Sequence, residues 1–172
     1  YWGVWHGGEG FEGFEKNIGR FMSEYGMQSF PDLKTVETFA NKVDWDMESD
    51  VIKGHQKASL GNDNVIKYIE QYYSKPKDFE SLIPLSQIMQ ADAIRTAVEA
   101  HRRSMPFCMG TLYWQLNDCW PGVSWSSIDY NGNWKALHYA ARLFFNPVLV
   151  SITEKDNLIN IYIINDQNHS FN

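Results

Sequence analysis

At 172 residues the chain is long enough for one domain with a core of its own, and 44% apolar with 21% charged residues is the balance of a globular protein, not a disordered one. A net charge of −6 without a cluster of Lys and Arg argues against nucleic acid as a partner. No apolar run is long enough to span a bilayer, so no membrane partner is expected either.

No basic segment followed by an apolar stretch opens the chain, so no secretory leader is expected. The first residue is tyrosine, which reads as an excised piece of a longer protein. The compartment stays open. Cys108 and Cys119 are too few for a disulfide framework and match no zinc spacing, and the histidines are scattered, so no metal or other cofactor is expected. Aromatic residues make up 15% of the chain, with seven Trp. Several of these Trp sit among Gly, Asp and Asn, where turns are expected. A sugar ring needs such a setting: its C–H face stacks on an aromatic ring while its hydroxyls bond to amides and carboxylates. Core packing uses the same residues, and composition does not separate the two.

Residues 1–13, YWGVWHGGEGFEG, read as a Gly-punctuated loop. Residues 14–19 are ambiguous. RFMSEY, 20–25, reads as a buried strand that ends at Gly26. Ser29-Phe30-Pro31-Asp32 has the spacing of a capping box, followed by Leu33, Val36 and Ala40 at helical spacing, with Asn41 as the stop. Residues 42–61 read as loop. Its Asp44, Asp46, Glu48, Asp50 run lacks the Gly and terminal Glu of a calcium loop and reads as solvated. Asn62 is placed to cap a helix carrying Val65, Ile66, Ile69 and Tyr73, ended near Pro76. A longer helix is expected over 78–103, with Ile88, Ala91, Ile94 and Val98 on one face, a break or kink at Pro84, and basic residues at its C-terminus. GTLYWQLN, 110–117, is a second strand, which runs into the polar loop NDCWPG. Asn131-Gly132 marks a turn, and 134–145 a helix. After Pro147 the grammar changes: VLVSI and LINIYII, separated by a turn at 154–157, read as the opening of an all-β unit. Strands alternating with helices before that point argue an α/β fold with a parallel sheet.

Side chains alternate along a strand, so Arg20, Met22 and Glu24 share one face, with Glu24 at the C-terminal end. In α/β barrels that end carries the active site. Position alone leaves Glu24 open between a chemical role and a solvated loop carboxylate. Trp114 holds the matching place on the second strand, where position favours core packing over ligand stacking. Glu9, Glu12 and Glu15 suit a solvated face. Asp118, beside Trp120, either orients its loop or bonds a hydroxyl.

WGVWHGG, RFMSEYGMQSFP and LYWQLNDCWPGVSW together resemble the β-mannosidases of glycoside hydrolase family two, and the likeness runs through nearly all of residues 1–150. SEYG is shared loosely with β-glucuronidases; the extended SEYGMQSFP and the leading W-x-V-W-H-x-G point to mannosidase. The resemblance implies the C-terminal portion of a (β/α)8 TIM barrel over 1–146, and the first strands of an immunoglobulin-like β-sandwich over 147–172. It implies Glu24 as the catalytic nucleophile of a retaining glycosidase. It implies Trp114 as an aromatic lining the sugar subsite, and Trp2, Trp5 and His6 in a loop beside the pocket. The expected substrate is an oligosaccharide ending in β-mannose.

In that family the acid/base Glu follows an Asn, and no Asn-Glu pair occurs in this sequence. The chain by itself is therefore expected to be inactive. An open piece of barrel exposes sheet edges and apolar faces, so self-association is expected too. The competing readings are a non-catalytic carbohydrate-binding fragment and a sibling β-glucuronidase or β-galactosidase.

Overall fold

The structure is a computed structural model, and it describes residues 1–167, 169 and 170. Two extended segments lie side by side in parallel, bridged at Met22 and Thr111. Arg20 O accepts from Met109 N, Gly110 O from Met22 N, Met22 O from Leu112 N, and Tyr25 O from Trp114 N, at 2.7 to 2.9 Å. These are the two strands expected at 20–25 and 110–117, each shorter and less regular than the sequence suggests. The pairing is parallel because a long helical crossover returns the chain to the same end. Only Met22 and Tyr25 of the first segment are buried; Arg20, Phe21, Ser23 and Glu24 are exposed. The segment is not the buried strand expected: one side pairs with 109–114, while the other meets only the start of the chain, where Tyr1 N donates to Glu24 O, among the described residues.

The helix α1 Glu12–Lys16 precedes the first segment, the crossover carries α2 Leu33–Val36, α3 Asp50–Gly54, α4 Gly61–Tyr72 and α5 Phe79–Arg103, and α6 Ala136–Phe144 follows the second segment. The longest is α5. Asp78 caps it, accepting from Ser81 N at 2.7 Å while Ser81 Oγ accepts from Asp78 N. His101, Arg102 and Arg103 occupy its last turn, where positive charge meets the carbonyl end. Pro84 does not break it. The amide that proline lacks would have bonded the carbonyl of Glu80, an exposed residue of the first turn, where losing one bond costs little.

The buried face of α5 differs from the apolar stripe expected. Met89, Ala93, Ile94, Ala97 and Val98 are inside, but Ile88 is 47% exposed and Ser86 and Gln90 are fully buried in its stead. The helix is turned so that polar side chains reach backbone carbonyls and amides of neighbouring segments. Ser29 likewise caps no helix: its hydroxyl donates to Gln90 Oε1 at 2.7 Å, and Asp32 caps the short α2 by accepting from Lys34 N. Asn62 lies inside α4, where its Oδ1 accepts from Gln56 Nε2. The stretch 42–61, expected as loop, holds a 3₁₀ turn Lys42–Asp44 and α3, which Ser49 caps.

The tail is a two-stranded antiparallel hairpin, β1 Val148–Lys155 and β2 Leu158–Asn165. Asp156 and Asn157 take φ of 53° and 60°, the two-residue turn whose twist matches paired strands. Leu149, Ser151 and Ile164 are buried, while Val150, Ile152, Ile159, Ile161 and Ile163 form an exposed apolar face. Arg102 Nη2 pairs with Asp166 at 2.9 Å and Arg103 Nη1 donates to Ser151 Oγ at 2.7 Å, tying the hairpin to the end of α5. Among the described residues no helix is long and apolar enough to cross a membrane.

Candidate active site

Glu24 lies where the first extended segment ends, two residues before Gly26. Its Oε1 accepts from the indole Nε1 of Trp2 at 2.9 Å. Trp2 reaches it because the opening segment is a folded turn: His6 N and Gly7 N donate to Trp2 O, and Gly8 N donates to Val4 O. The ring of His6, exposed, sits 5.0 Å from that of Trp2.

Gly26 makes the convergence possible. A Cβ there would lie 2.4 Å from the carbonyl oxygen of Trp114, 3.0 Å from Trp125 Cδ1 and 3.2 Å from Trp2 Cη2. Three chain segments therefore crowd Gly26, and the Trp114 carbonyl leaves no room for a Cβ there. Trp125 meets Trp2 edge-on at 6.2 Å and Trp5 edge-on at 6.0 Å.

The residues singled out in the sequence divide as follows. Glu24, Trp2 and His6 are together. Trp114 N donates to Tyr25 O, which places Trp114 beside Glu24's own segment, and its side chain is 44% exposed, so the core packing that position favoured does not hold. Trp5 is 1% exposed and lies over Tyr68 at 6.3 Å. Its ring is core, and it meets the cluster through Trp125. Trp125 was missed as an individual residue, although it stands inside LYWQLNDCWPGVSW. A Trp between two Ser in a polar loop was the available signal.

Asp118 orients its loop. Its Oδ1 accepts from Gln115 Nε2 at 3.0 Å, and its Oδ2 accepts from the hydroxyls of Ser124 and Ser126 at 2.7 and 2.6 Å. Gln90, buried on α5, donates to the carbonyls of Met27, Trp125 and Ser126. Lys135 is fully buried, and burial brings its ammonium down to about 7 against the opposing pull of Asp118 and Asp129. No pattern argument finds a buried Gln or Lys. Both serve backbone carbonyls of irregular loops, which sequence periodicity does not describe.

A cavity of about 560 Å³ is lined by residues such as Met47, Glu48, Lys53, Gln56 and Leu60 and shares none with the Glu24 cluster. Its Glu48 and Lys53 pair with each other at 2.7 Å. Among the described residues no three His, Cys, Asp or Glu side chains converge as metal ligands do.

No family model matches the chain. Curated proteins do. It is 41% identical to the β-mannosidase of Capra hircus over 161 residues, 86% of this chain and 18% of that protein. It is 38% identical to β-mannosidase B of Aspergillus niger over 156 residues, 88% of this chain and 18% of that one. The chain is related to the β-mannosidases. The β-D-mannosidase structure from Dictyoglomus thermophilum superposes on 96% of the chain with a TM-score of 0.93 and 36% identity, the match taking up 21% of that structure. The exo-chitosanase of Amycolatopsis orientalis shares the fold, at 17% identity and a TM-score of 0.68 over 82% of this chain and 18% of that one. The chain thus spans about a fifth of the length of the β-mannosidases it matches.

Proposed function

We propose that this chain supplies the nucleophile side of a retaining β-mannosidase site, with Glu24 attacking the anomeric carbon of a terminal β-mannose. The observation that carries it is the Trp2–Glu24 hydrogen bond at the end of a parallel segment, in a chain related to the β-mannosidases. A carboxylate held by one N–H donor keeps its second oxygen available for attack. Trp114, exposed beside it, offers an aromatic face to the sugar. Residues 1–146 are read as the C-terminal part of a TIM barrel, and 147–172 as the start of a β-sandwich; the parallel pairing and the change to a hairpin at Val148 support that division.

The chemistry needs two carboxylates about 5–5.5 Å apart, one attacking while the other protonates the leaving oxygen. The sequence has no Asn-Glu pair, so the acid/base comes from elsewhere in the intact protein. The substrate under this reading is an oligosaccharide with a non-reducing β-mannose, released through a covalent mannosyl-enzyme that water then hydrolyses.

The test is to treat the intact protein with a 2-fluoro-mannosyl inactivator and map the labelled peptide by mass spectrometry. Label on Glu24 is the expected result. Complete inactivation with label on another residue overturns the assignment, and no β-mannosidase activity at all overturns the substrate class.

A further inference from the structure

Lys135 has no part in the two-carboxylate scheme, yet its ammonium is wholly enclosed. Its Nζ donates to Ser29 O at 3.3 Å and to Ser124 O at 3.2 Å. Those two carbonyls already accept each other's amides in an antiparallel bridge: Ser29 N to Ser124 O at 2.9 Å, and Ser124 N to Ser29 O at 3.2 Å. The ammonium thus spans both bonds of the bridge. The backbone N of Lys135 adds a third tie, to Ser127 O at 2.9 Å. The bridge joins the chain five residues beyond Glu24 to the residue before Trp125, and Trp125 packs on the Trp2 that donates to Glu24.

Among the described residues no carboxylate bonds this ammonium. Asp118 is taken up by Gln115, Ser124 and Ser126. Asp129 accepts from Asp32 N, Thr35 Oγ1, Asn131 N and Asn133 N. A buried ammonium served only by carbonyls is a poor source of stability, since a methionine of similar length fills the same space without the desolvation cost. What the ammonium does and methionine cannot do is hold two carbonyls at once.

We propose that Lys135 is a positioning residue: by holding the Ser29–Ser124 bridge closed it sets Trp125 against Trp2, and through Trp2 the attacking carboxylate of Glu24. The proposal rests on the reading of Glu24 as nucleophile. Placement of an attacking group governs the chemical step more than ground-state binding, so its loss falls on kcat.

The experiment is Lys135→Met in the intact protein, read by thermal midpoint, by kcat and KM on an aryl β-mannoside, and by the ¹⁵N indole resonance of Trp2. The expected result is a midpoint kept or raised, a shifted Trp2 resonance, and kcat down by about tenfold or more with KM changed less than about threefold. Wild-type kcat and an unmoved Trp2 resonance overturn the proposal, whatever the midpoint does. If Lys135→Met does not fold, Lys135→Leu, which likewise has no donor, is read by the same criteria. If neither folds, Lys135 is structural and the proposal falls. A wild-type protein without β-mannosidase activity removes the proposed function instead, and the Trp2 resonance still decides the positioning role.

Discussion

The indole N–H of Trp2 meets the carboxylate of Glu24 at 2.9 Å across 22 residues of sequence. Neither residue places the other alone. The turn that begins the chain brings Trp2 in, the parallel pairing with 109–114 holds the Glu24 segment, and Gly26 lets the two come together beside Trp125.

Trp2→Phe keeps the ring against Trp125 and removes only the donor. A hydrogen bond to a charged group contributes about 1.5–3 kcal/mol, so kcat of the intact protein is expected to fall about 10- to 100-fold with the fold preserved. The measurement is kcat alongside the rate of 2-fluoro-mannosyl inactivation, which falls in step. Unchanged inactivation would show that the Trp2 N–H does not assist Glu24.

Gly26→Ala puts a methyl into space that the Trp114 carbonyl occupies, at 2.4 Å. Backbone cannot swing aside as a side-chain tip can, so the parallel segments must part. The expected cost is about 1–3 kcal/mol of stability, read from urea denaturation, together with loss of inactivator labelling. An alanine variant as stable and reactive as the wild type would mean that the three segments are looser than they stand here.

Much of this was legible in the sequence, and the limits have physical causes. The long helix was legible from a basic C-terminus and period-3.6 spacing, and the hairpin from β-branched runs either side of a turn at 154–157. Glu24 was legible as a candidate because it ends a strand. What escaped was polar and buried. Gln90, Ser86 and Lys135 carry no periodic signal, because their places are set by carbonyls and amides of irregular loops that come together only in three dimensions. Ile88 was assigned inward for the same reason: the stripe rule assumes apolar contacts decide which face turns in, and here two polar side chains, Ser86 and Gln90, outvote one isoleucine. Trp5 and Trp125 show the converse, two aromatics near one site of which one is core and the other wall.

Asp166→Ala removes the carboxylate that Arg102 pairs with at 2.9 Å. Arg102 is 6% exposed and keeps only the Phe144 carbonyl as a partner for its guanidinium. Stranding a buried cation costs several kcal/mol in general, although Asp166 is itself half-exposed and the loss here is expected to be smaller, about 1–3 kcal/mol. The effect is local. Hydrogen exchange of the β1 amides should quicken while the middle of α5 stays protected; equal quickening of both would place the clamp at the centre of the fold, not at its edge.

Val150, Ile152, Ile159, Ile161 and Ile163 form an exposed apolar face on the hairpin. A polypeptide of these 172 residues, made alone, is expected to self-associate through it. Ile161→Thr with Ile163→Thr keeps β-branched side chains, and so strand propensity, while removing apolar surface. Sedimentation velocity should show the double variant shifted toward monomer; a clean monomer from the unaltered chain would dismiss the expectation.

His101 ties stability to pH. Its ring is 1% exposed, Nδ1 bonds Thr111 Oγ1 at 2.8 Å, and that hydroxyl in turn bonds Tyr25 OH at 2.6 Å. Nε2 has no partner. Burial therefore opposes the second proton and brings the pKa down to about 4 from an ordinary 6.5. The unfolded chain takes that proton as pH falls past 6.5, while the folded chain refuses it until about 4, so across this window the unfolded state binds more protons and gains on the folded one. His101's contribution is full above 6.5, declines from there to about 4, and is flat below, with a total of roughly 3 kcal/mol at most. His101→Gln carries no such proton. Urea midpoints at pH 7 and pH 4.5 should fall further for the wild type than for the variant, because carboxylate titration is common to both. Equal falls would show that the imidazole is hydrated in solution and that acid sensitivity arises elsewhere.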